Sequence, residues 1–242
     1  MIKVSKLNVY NIFNSIDGEV NGFSGAGELT TFVRLRGCNL KCAYCDTQYA
    51  QNKDPITNIS VDRIIDQCNL RKVTITGGEP LLQRESLLQL ILHLIKKYKK
   101  ITLETNGTLL LFHPEQFGNV FSLSRSLQLI RYVVDYKLPS SIHNREEPFS
   151  FAFHKDNWKL LQPFDTVKFV ICTEEDYVEA CNVMEERSGK CKFALSPVFT
   201  KNNEMLKSVR PSLVRRMIHD AEKLSKWNCS YSLQIHKLLN VP

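Results

Sequence analysis

The sequence lacks a hydrophobic run long enough to cross a membrane, and it contains no internal repeat and no low-complexity segment. Its most apolar helical pattern, at residues 87–95, is interrupted by Gln89 and His93 and falls short of the ~20 apolar residues that a spanning helix needs. The N-terminal segment has neither a long apolar core nor a small-residue cleavage site, so we predict no signal peptide. We therefore expect a cytoplasmic protein that has no membrane partner.

A strong excess of charge of one sign is also lacking. The chain carries 32 lysine and arginine residues against 25 aspartate and glutamate residues, which gives a formal net charge of +7. The densest basic run, residues 96–100, directly follows the apolar helical pattern. Cationic side chains stabilise the C-terminal end of a helix, so we interpret this run as a helix end and predict no nucleic-acid partner.

The 242 residues are enough to bury one large core, and we predict a single domain over residues 1–242. Apolar or β-branched runs that are typical of strands alternate with helical patterns. These runs are Thr30–Leu35, Val73–Thr76, Ile101–Leu103, Tyr132–Val134, Val167–Ile171, Lys192–Leu195 and Ser230–Ile235. The alternation predicts mostly parallel strands joined by crossover helices, and about six such units are too few for a closed eight-stranded barrel. The predicted fold class is therefore α/β, with an open or partial β/α barrel.

Four helical stripes lie between these runs. The first follows Ser60, a residue suited to an N-cap, and has apolar residues at the spacing i, i+3, i+4 and i+7. Two more stripes occupy residues 87–95 and 177–184. The fourth is predicted to begin with Pro211 as its first helical residue and to continue to Leu224. Residues 143–158 show no clear period and are predicted to form an irregular connection.

Unusual motifs follow six of the predicted strands. Their first residues are Arg36, Gly77, Glu104, Asp135, Ser196 and His236. Parallel strands of an α/β fold end at the same face, and active sites lie at that face. We therefore expect the six strand ends to converge on one pocket.

The strongest chemical signal is the spacing of Cys38, Cys42 and Cys45. In a reducing compartment, closely spaced cysteines indicate a metal site or catalysis more often than disulfides. A four-iron cluster normally takes four cysteines, so three would leave one iron free to bind the amino and carboxylate groups of S-adenosylmethionine (SAM). The alternative is zinc, which usually requires a second pair of ligands. Cys172, Cys181 and Cys191 are too far apart to supply that pair.

Three further motifs could serve the same pocket. The turn Gly77-Gly78-Glu79-Pro80 allows a close backbone approach and offers a carboxylate for an ammonium group, although alone it would be an ordinary turn. Glu104 and Asn106 could bind the ribose or methionyl part of SAM, and otherwise would be surface polar groups. Asp46-Thr47 offers hard oxygen ligands suited to Mg²⁺, with a plain loop turn as the equal alternative.

The chain resembles the 7-carboxy-7-deazaguanine synthase family of the radical SAM superfamily over nearly its whole length. The cysteine triad with Thr-Gly-Gly-Glu-Pro is typical of the superfamily. The narrower resemblance rests on motifs at residues 12–19, 32–38, 45–47, 104–107, 135–141, 195–198 and 233–237. It implies a partial TIM-type β/α barrel of the radical SAM type.

The resemblance also implies a reaction, in which 6-carboxy-5,6,7,8-tetrahydropterin is contracted to 7-carboxy-7-deazaguanine with release of ammonia, in queuosine and 7-deazapurine biosynthesis. The implied cofactors are a [4Fe–4S] cluster on the three cysteines, SAM that is regenerated, and Mg²⁺ at Thr47. The implied partners are the small pterin substrate, an electron donor such as flavodoxin or ferredoxin, and a second copy of the chain in a homodimer. No protein acid or base is assigned, since the radical arises at the cluster.

Site residues follow from this resemblance and from the chemistry above. The predicted SAM-binding residues are Tyr44, Cys45, Asp46, Gly78, Glu79, Glu104, Asn106, Asp135, Tyr136, Lys137, Ser196, Pro197, Val198 and Phe199. The predicted substrate-binding residues are Ile16, Asp17, Gly18, Glu19, Arg34, Thr76, His236 and Pro242. Arg34 is assigned to the substrate carboxylate because a planar guanidinium suits that group.

One departure and two alternatives accompany this interpretation. Val20 stands where the family usually has glycine, and it would be strained if the position required positive φ. A glycyl-radical-enzyme activase is the first alternative, and it would need a pocket open to a protein loop. A non-catalytic iron–sulfur or zinc protein is the second, and it leaves the polar motifs at the other strand ends unexplained.

Overall fold

The computed structural model describes residues 5–20, 22–23, 26–118, 122–141, 152–198 and 204–241. Within these ranges the strands are β1 (Lys6–Ile16), β2 (Leu29–Leu35), β3 (Asn58–Ser60), β4 (Lys72–Gly77), β5 (Lys100–Thr105), β6 (Ile130–Tyr136), β7 (Thr166–Ile171), β8 (Lys192–Pro197) and β9 (Cys229–Tyr231). The α-helices are α1 (Val61–Gln67), α2 (Arg84–Lys96), α3 (Leu123–Leu127), α4 (Asn157–Leu160), α5 (Glu174–Glu186), α6 (Glu204–His219), α7 (Ala221–Lys226) and α8 (Ile235–Leu238). None of the helices in these ranges is long and apolar enough to span a membrane.

The described strands form one open sheet in the order β3-β1-β2-β4-β5-β6-β7-β8-β9. The strand pairs from β2 to β9 are parallel, whereas β1 pairs antiparallel with both β2 and β3. Helices lie between successive parallel strands along the chain, as is usual for the crossover connections that parallel strands need. The predicted fold class, an incomplete β/α barrel with mostly parallel strands, is confirmed.

The central strands are buried on both faces, which explains their continuous apolar runs. In β4 the first four residues are all buried, and in β8 all residues after Lys192 are buried. Helix α2 packs on the sheet through Leu87, Leu90 and Leu94, which are fully buried. Each such leucine contributes about 2 kcal/mol of burial free energy, so this stripe anchors the helix firmly.

Local sequence signals place several helix starts as predicted. Ser60 caps α1, since its hydroxyl oxygen accepts a hydrogen bond from the backbone N–H of Arg63 at 3.4 Å. Helix α5 begins with a reciprocal pair in which Thr173 Oγ1 accepts from Asp176 N at 3.2 Å and Asp176 Oδ2 accepts from Thr173 N at 3.0 Å. Such a box satisfies N–H groups that a helix start otherwise leaves unpaired.

Two predicted elements are wrong at their ends. The predicted helix from Pro211 is in fact two helices, because α6 already begins at Glu204, runs through Pro211 and ends before α7. The predicted last strand, Ser230–Ile235, is shorter in the structure, because β9 ends at Tyr231. Ser232 N still donates a hydrogen bond to Leu195 O of β8, and the chain then leaves the sheet. His236 therefore lies in α8 and not directly at a strand end.

Residues 143–158 were predicted to be irregular, and residues 142–151 lie outside the described ranges. The described end of the segment contains α4 and a buried Asn157. The Asn157 side-chain amide donates to Gly107 O and Leu109 O at 3.0 Å each and accepts from Leu111 N at 2.9 Å. This part of the segment therefore fixes the loop that follows β5.

Candidate active site

The carboxyl ends of the parallel strands surround one cavity, as predicted from the positions of the motifs. Six neighbouring strands of the sheet, β2 and β4 to β8, each contribute a polar side chain to its lining. These side chains are Arg34, Thr76, Glu104, Asp135, Lys168 and Ser196. Glu104, Asp135 and Ser196 lie within the last residues of their strands, where the rigid ladder fixes their directions.

Most of the predicted site residues line this cavity. They are Asp17, Gly18, Glu19, Arg34, Cys38, Cys42, Tyr44, Cys45, Asp46, Thr47, Thr76, Gly78, Glu104, Asn106, Asp135, Lys137, Ser196, Pro197, Val198 and His236. Ile16, Glu79 and Tyr136 do not line it, while Phe199 and Pro242 lie outside the described residues. The Tyr136 ring packs instead on Phe153 and Phe169, with centroid distances of 5.4 and 5.5 Å.

The loop that carries the three cysteines is fixed by backbone hydrogen bonds at its start and in its middle. Cys38 N donates to Gln51 O at 3.0 Å, and Ala43 N donates to Ser141 O at 2.9 Å. Within the loop, Leu40 N donates to Cys38 Sγ at 3.4 Å, a contact that stabilises negative charge on sulfur. The loop is thus held between the β2 end and the turn after β6.

This donor set fits an iron–sulfur cluster. All three cysteines are free thiols on the cavity wall, and soft thiolates are the ligands such clusters prefer. Burial raises the pKa of the Cys38 thiol, and it raises that of the Cys42 thiol to about 11. The positive charge of a bound metal favours the thiolate form of its cysteine ligands.

The glycine turn after β4 packs against the cysteine loop. Glu79 N donates to Gly37 O at 2.7 Å, and a Cβ atom at Gly78 would overlap the backbone of Gly37. Only glycine leaves room for this approach. Gly78 therefore sets the distance between the turn and the loop that carries Cys38.

The Glu79 carboxylate accepts several hydrogen bonds from within the protein. The side chain is fully buried and accepts hydrogen bonds from Leu81 N at 2.9 Å, Thr105 Oγ1 at 2.8 Å and Asn106 N at 2.7 Å. Burial raises the pKa of Glu79 despite these donors. The carboxylate joins the β4 turn to the β5 end, so it orients Asn106, whose amide approaches Cys38 Sγ at 3.9 Å.

A second cluster of charge also lines the cavity. Lys168 Nζ is 2.6 Å from Glu19 Oε2 and 3.2 Å from Asp135 Oδ1, and Lys137 Nζ is 3.0 Å from Asp135 Oδ2. Burial alone would raise the pKa values of Glu19 and Asp135. The nearby ammonium groups outweigh burial and hold the pKa values of both carboxyls below their usual range.

Sequence reasoning missed Lys168 as a site residue. The available signal was a charged residue in the middle of an apolar strand, where it alternates with buried Val167 and Phe169. A lysine at such a position needs an acidic partner. Gln234 and Lys237 were part of the resemblance motif, but they were not assigned to the site that they line.

Asp17 lies at the base of the cavity in a buried ion pair. Its Oδ2 atom is 2.5 Å from Lys72 Nζ, and both side chains are almost fully buried. Burial raises the pKa of Asp17, with opposition from Lys72. Val20, three residues further on, is not among the described residues with positive φ, so the expected strain at this position does not arise.

The short helix α8 closes one side of the cavity. Ile235 N donates to Gly18 O at 2.9 Å, and a Cβ atom at Gly18 would overlap the His236 imidazole. Gln234 Nε2 donates to Glu19 Oε1 at 2.6 Å, and Lys237 forms an ion pair with Asp46. The C-terminal segment therefore contacts both the loop after β1 and the cysteine loop.

Glu104 is a buried carboxyl in the cavity that lies close to other acidic groups. Burial, together with repulsion from Asp17 and Glu19, raises its pKa to about 7, against the effect of Lys168 and a hydrogen bond from Thr76. Near neutral pH this carboxyl can therefore hold or release a proton. That property is typical of groups in functional sites.

Comparison with known proteins gives the same interpretation. The model of the radical SAM superfamily matches residues 32–139. A 7-carboxy-7-deazaguanine synthase from Clostridium acetobutylicum is 33% identical over 234 residues, which cover 94% of this chain and 93% of the relative. A protein of the same name from Methanospirillum hungatei is 32% identical, with coverage of 98% of this chain and 87% of the relative.

The solved structures agree at the level of the fold. The crystal structure of QueE from Escherichia coli has a TM-score of 0.63 and 19% identity, and the match covers 95% of this chain and 94% of that one. The structure of SuiB from Streptococcus suis has a TM-score of 0.51, with 82% of this chain and 47% of that one covered. Identity and coverage of the curated relatives show that this chain belongs to the 7-carboxy-7-deazaguanine synthase family, within the radical SAM superfamily.

Proposed function

We propose that this chain is itself a 7-carboxy-7-deazaguanine synthase, which contracts 6-carboxy-5,6,7,8-tetrahydropterin with release of ammonia in 7-deazapurine biosynthesis. One observation carries the proposal. The three family cysteines share a cavity wall with polar side chains from six neighbouring strands, four of them charged, in a chain aligned with such synthases over nearly its whole length. Cys38, Cys42 and Cys45 would hold the [4Fe–4S] cluster, which together with SAM would supply the radical chemistry needed to remove a hydrogen atom from the substrate.

On the SAM side, the residues at the ends of β6 and β8 have suitable chemistry. The Asp135 carboxylate can accept hydrogen bonds from the ribose hydroxyl or methionyl ammonium groups, the Ser196 hydroxyl can donate or accept, and Val198 offers an apolar surface to the adenine. Lys137 holds Asp135 and lies 5.8 Å from the centre of the Tyr44 ring. These contacts would keep the aspartate ionised and fixed in direction.

On the substrate side, Arg34 would bind the carboxylate of the pterin. Its Nε atom is buried without a hydrogen-bond partner among the described residues, so it can donate to a bound oxygen atom. Asp17, Glu19 and Glu104 can accept hydrogen bonds from the pterin N–H and amino groups, and His236 would cover the ring from α8.

Magnesium is proposed to bind at Thr47, beside the substrate carboxylate. In the structure Thr47 Oγ1 donates a hydrogen bond to Asp46 Oδ1 at 2.7 Å. A hydroxyl and a neighbouring carboxylate are hard oxygen donors, which this cation prefers together with water and substrate oxygens.

The assembly and location of the protein are part of the same proposal. The continuous sheet from Lys6 to Tyr231 supports one domain over residues 1–242. An electron donor such as flavodoxin or ferredoxin would reduce the cluster, the chain would act as a homodimer, and it would work in the cytoplasm.

The glycyl-radical-enzyme activase is a weaker candidate. Such an enzyme needs a cavity open to a protein loop, whereas Gln234, His236 and Lys237 of the C-terminal segment line this one. A carrier without catalytic activity would not require the carboxylates at the strand ends.

The test is anaerobic reconstitution with iron and sulfide, followed by incubation with SAM, a reductant, Mg²⁺ and 6-carboxytetrahydropterin. We expect 7-carboxy-7-deazaguanine by mass spectrometry from the wild type and from Cys68→Ala, since Cys68 is buried in the core away from the cavity. We expect none from Cys42→Ala. Formation of 5′-deoxyadenosine without this product would contradict the proposed substrate.

A further inference from the structure

Lys168 occupies a position between two carboxylates that come from distant parts of the chain. Its Nζ atom is 2.6 Å from Glu19 Oε2, on the loop after β1, and 3.2 Å from Asp135 Oδ1, at the end of β6. The lysine side chain is 12% exposed, and that exposure is to the cavity that it lines. The proposed contacts with SAM and substrate involve other residues than Lys168.

The two carboxylates are also held from their far sides. Gln234 Nε2 donates to Glu19 Oε1 at 2.6 Å, and Lys137 Nζ donates to Asp135 Oδ2 at 3.0 Å. A continuous chain of hydrogen bonds and ion pairs therefore crosses the cavity from the C-terminal segment to the end of β6. Lys168 is the central member, and it joins the two halves.

Charge makes this central position necessary. Glu19, Glu104 and Asp135 all act on Lys168 and hold its pKa well above the usual value, so the ammonium remains charged. Without it, Glu19 and Asp135 would be two buried like charges with no cation between them, since Lys137 contacts only the far oxygen atom of Asp135. Like charges in a poorly solvated site repel strongly, so both side chains would move or take up protons.

We propose that Lys168 is a positioning residue that couples the substrate side of the cavity, through Glu19, to the SAM side, through Asp135. This inference rests on the proposed function for the assignment of the two sides. The Lys168 ammonium has three N–H donors, which Glu19 and Asp135 share. A change at one of these carboxylates therefore alters the contact of Lys168 with the other. Occupancy of one side of the cavity is thereby linked to affinity at the other side.

The inference is tested by a double-mutant cycle on SAM affinity, measured by anaerobic titration calorimetry with the reconstituted holoenzyme. The four proteins are the wild type, Glu19→Gln, Lys168→Met and the double variant. We expect Glu19→Gln to change the SAM dissociation constant about fivefold when Lys168 is present. In the Lys168→Met background the same substitution should change it less than about twofold, because the connection is gone.

Two matched variants complete the design. Lys159→Met removes a lysine that is 78% exposed and paired only at the surface, so the effect of Glu19→Gln should be the same in its background as in the wild type. Lys168→Arg keeps the charge and should retain the coupling. If Lys168→Met does not fold, Lys168→Gln takes its place, since its amide can still hydrogen-bond one carboxylate without neutralising either.

Additive effects of Glu19→Gln and Lys168→Met on SAM affinity would overturn the inference, as would an unchanged SAM affinity in Glu19→Gln. A second measurement is the amount of 5′-deoxyadenosine released per molecule of product. This ratio should be higher in Lys168→Met than in the wild type, and it should return to the wild-type value in Lys168→Arg. A wild type that makes no 7-carboxy-7-deazaguanine would refute the proposed function. The binding cycle would still decide the role of Lys168, since it measures SAM alone.

Discussion

Gly18 is the residue at which the loop after β1 and helix α8 come into contact. Because a Cβ atom there would overlap both the imidazole and the backbone N of His236, we expect Gly18→Ala to displace α8. The substrate KM should rise at least about tenfold, as for other small displacements in active sites. Steady-state kinetics and iron content test this, and iron content should not change.

Gly189 provides the matched control for this substitution. Its φ of +80° makes alanine strained, but nothing lies within 4 Å of the added Cβ atom. Gly189→Ala should therefore cost about 1 kcal/mol of folding free energy and leave the substrate KM unchanged. An equal rise in KM in both variants would show that general strain, and not the contact with His236, causes the effect.

Glu104 makes stability depend on pH in a direction that can be worked out. In the unfolded chain its carboxyl ionises near 4.5, whereas burial and its acidic neighbours raise the pKa in the folded protein to about 7. Between these two pH values the carboxyl is ionised in the unfolded chain but still protonated in the folded protein. Ionisation therefore stabilises the unfolded state, and the free energy of unfolding falls as pH rises through this interval. The loss is complete above the folded-state pKa.

We therefore expect Glu104→Gln to be relatively more stable at pH 8 than at pH 5. Between pH 5 and pH 8, the free energy of unfolding of the variant should rise relative to that of the wild type by about 1 to 2 kcal/mol. This value is reduced to allow for contact of the carboxyl with water in the cavity. Urea unfolding of the protein without SAM or substrate measures it. The same difference at both pH values would mean that Glu104 ionises normally.

At the scale of elements, helix α5 anchors the cysteine loop through the turn after β6. Asp176 is fully buried, and its carboxylate accepts hydrogen bonds from the backbone N–H groups of Ser140 at 3.1 Å and of residues 172–173 at 2.9 and 3.0 Å. In the same turn, Ser141 O accepts a hydrogen bond from Ala43 N, which lies inside the cysteine loop. The start of α5 thus determines where the loop lies.

We expect Asp176→Ala to lower the free energy of unfolding by about 2 to 3 kcal/mol, because three backbone donors lose their acceptor. Iron bound after reconstitution should also fall. Asp156→Ala is the control, since Asp156 is partly exposed and forms a surface ion pair with Lys159, so its loss should cost much less than the loss of Asp176. Thermal unfolding and iron analysis distinguish the two, and equal effects would contradict the role of α5.

Helix α8 supports a further prediction about a whole element. A chain that ends at Leu233 keeps every described strand but loses Gln234, His236 and Lys237 from the cavity. We expect this truncated protein to bind iron and to lose at least about 90% of product formation, because the side of the cavity closed by α8 would be open to water. Full activity of the truncated protein would show that the C-terminal segment is not part of the site.

The elements that the sequence predicted well are those with a strong local signal. Strands β4 to β8 are buried on both faces, so their apolar runs identify them without reference to neighbours. Strand β1 was missed because asparagine and tyrosine interrupt its apolar residues, and only its pairing with β2 and β3 defines it. The start of α6 was missed because a proline normally marks a helix beginning, whereas here the helix continues through Pro211.

At the scale of the whole molecule, the location of the site was predictable and its internal connections were not. Parallel strands necessarily end at one face, so motifs at strand ends had to meet. The partner of each charged group depends on side-chain directions across distant strands, which is why the link from Glu19 through Lys168 to Asp135 appears only in three dimensions. For the same reason the sequence predicted only SAM as a partner of Glu79, and the hydrogen bond from Asn106 N to its carboxylate was not predicted.

The most direct test of the site is the electron paramagnetic resonance spectrum of the reduced, reconstituted protein before and after addition of SAM. Three thiolates leave one iron of a [4Fe–4S] cluster without a protein ligand. The spectrum should therefore be that of a reduced [4Fe–4S] cluster and should change when SAM is added, and Cys45→Ala should abolish it. A cluster signal that SAM does not alter, or one that persists in Cys45→Ala, would contradict the assignment of Cys38, Cys42 and Cys45 as the ligands of a SAM-binding cluster.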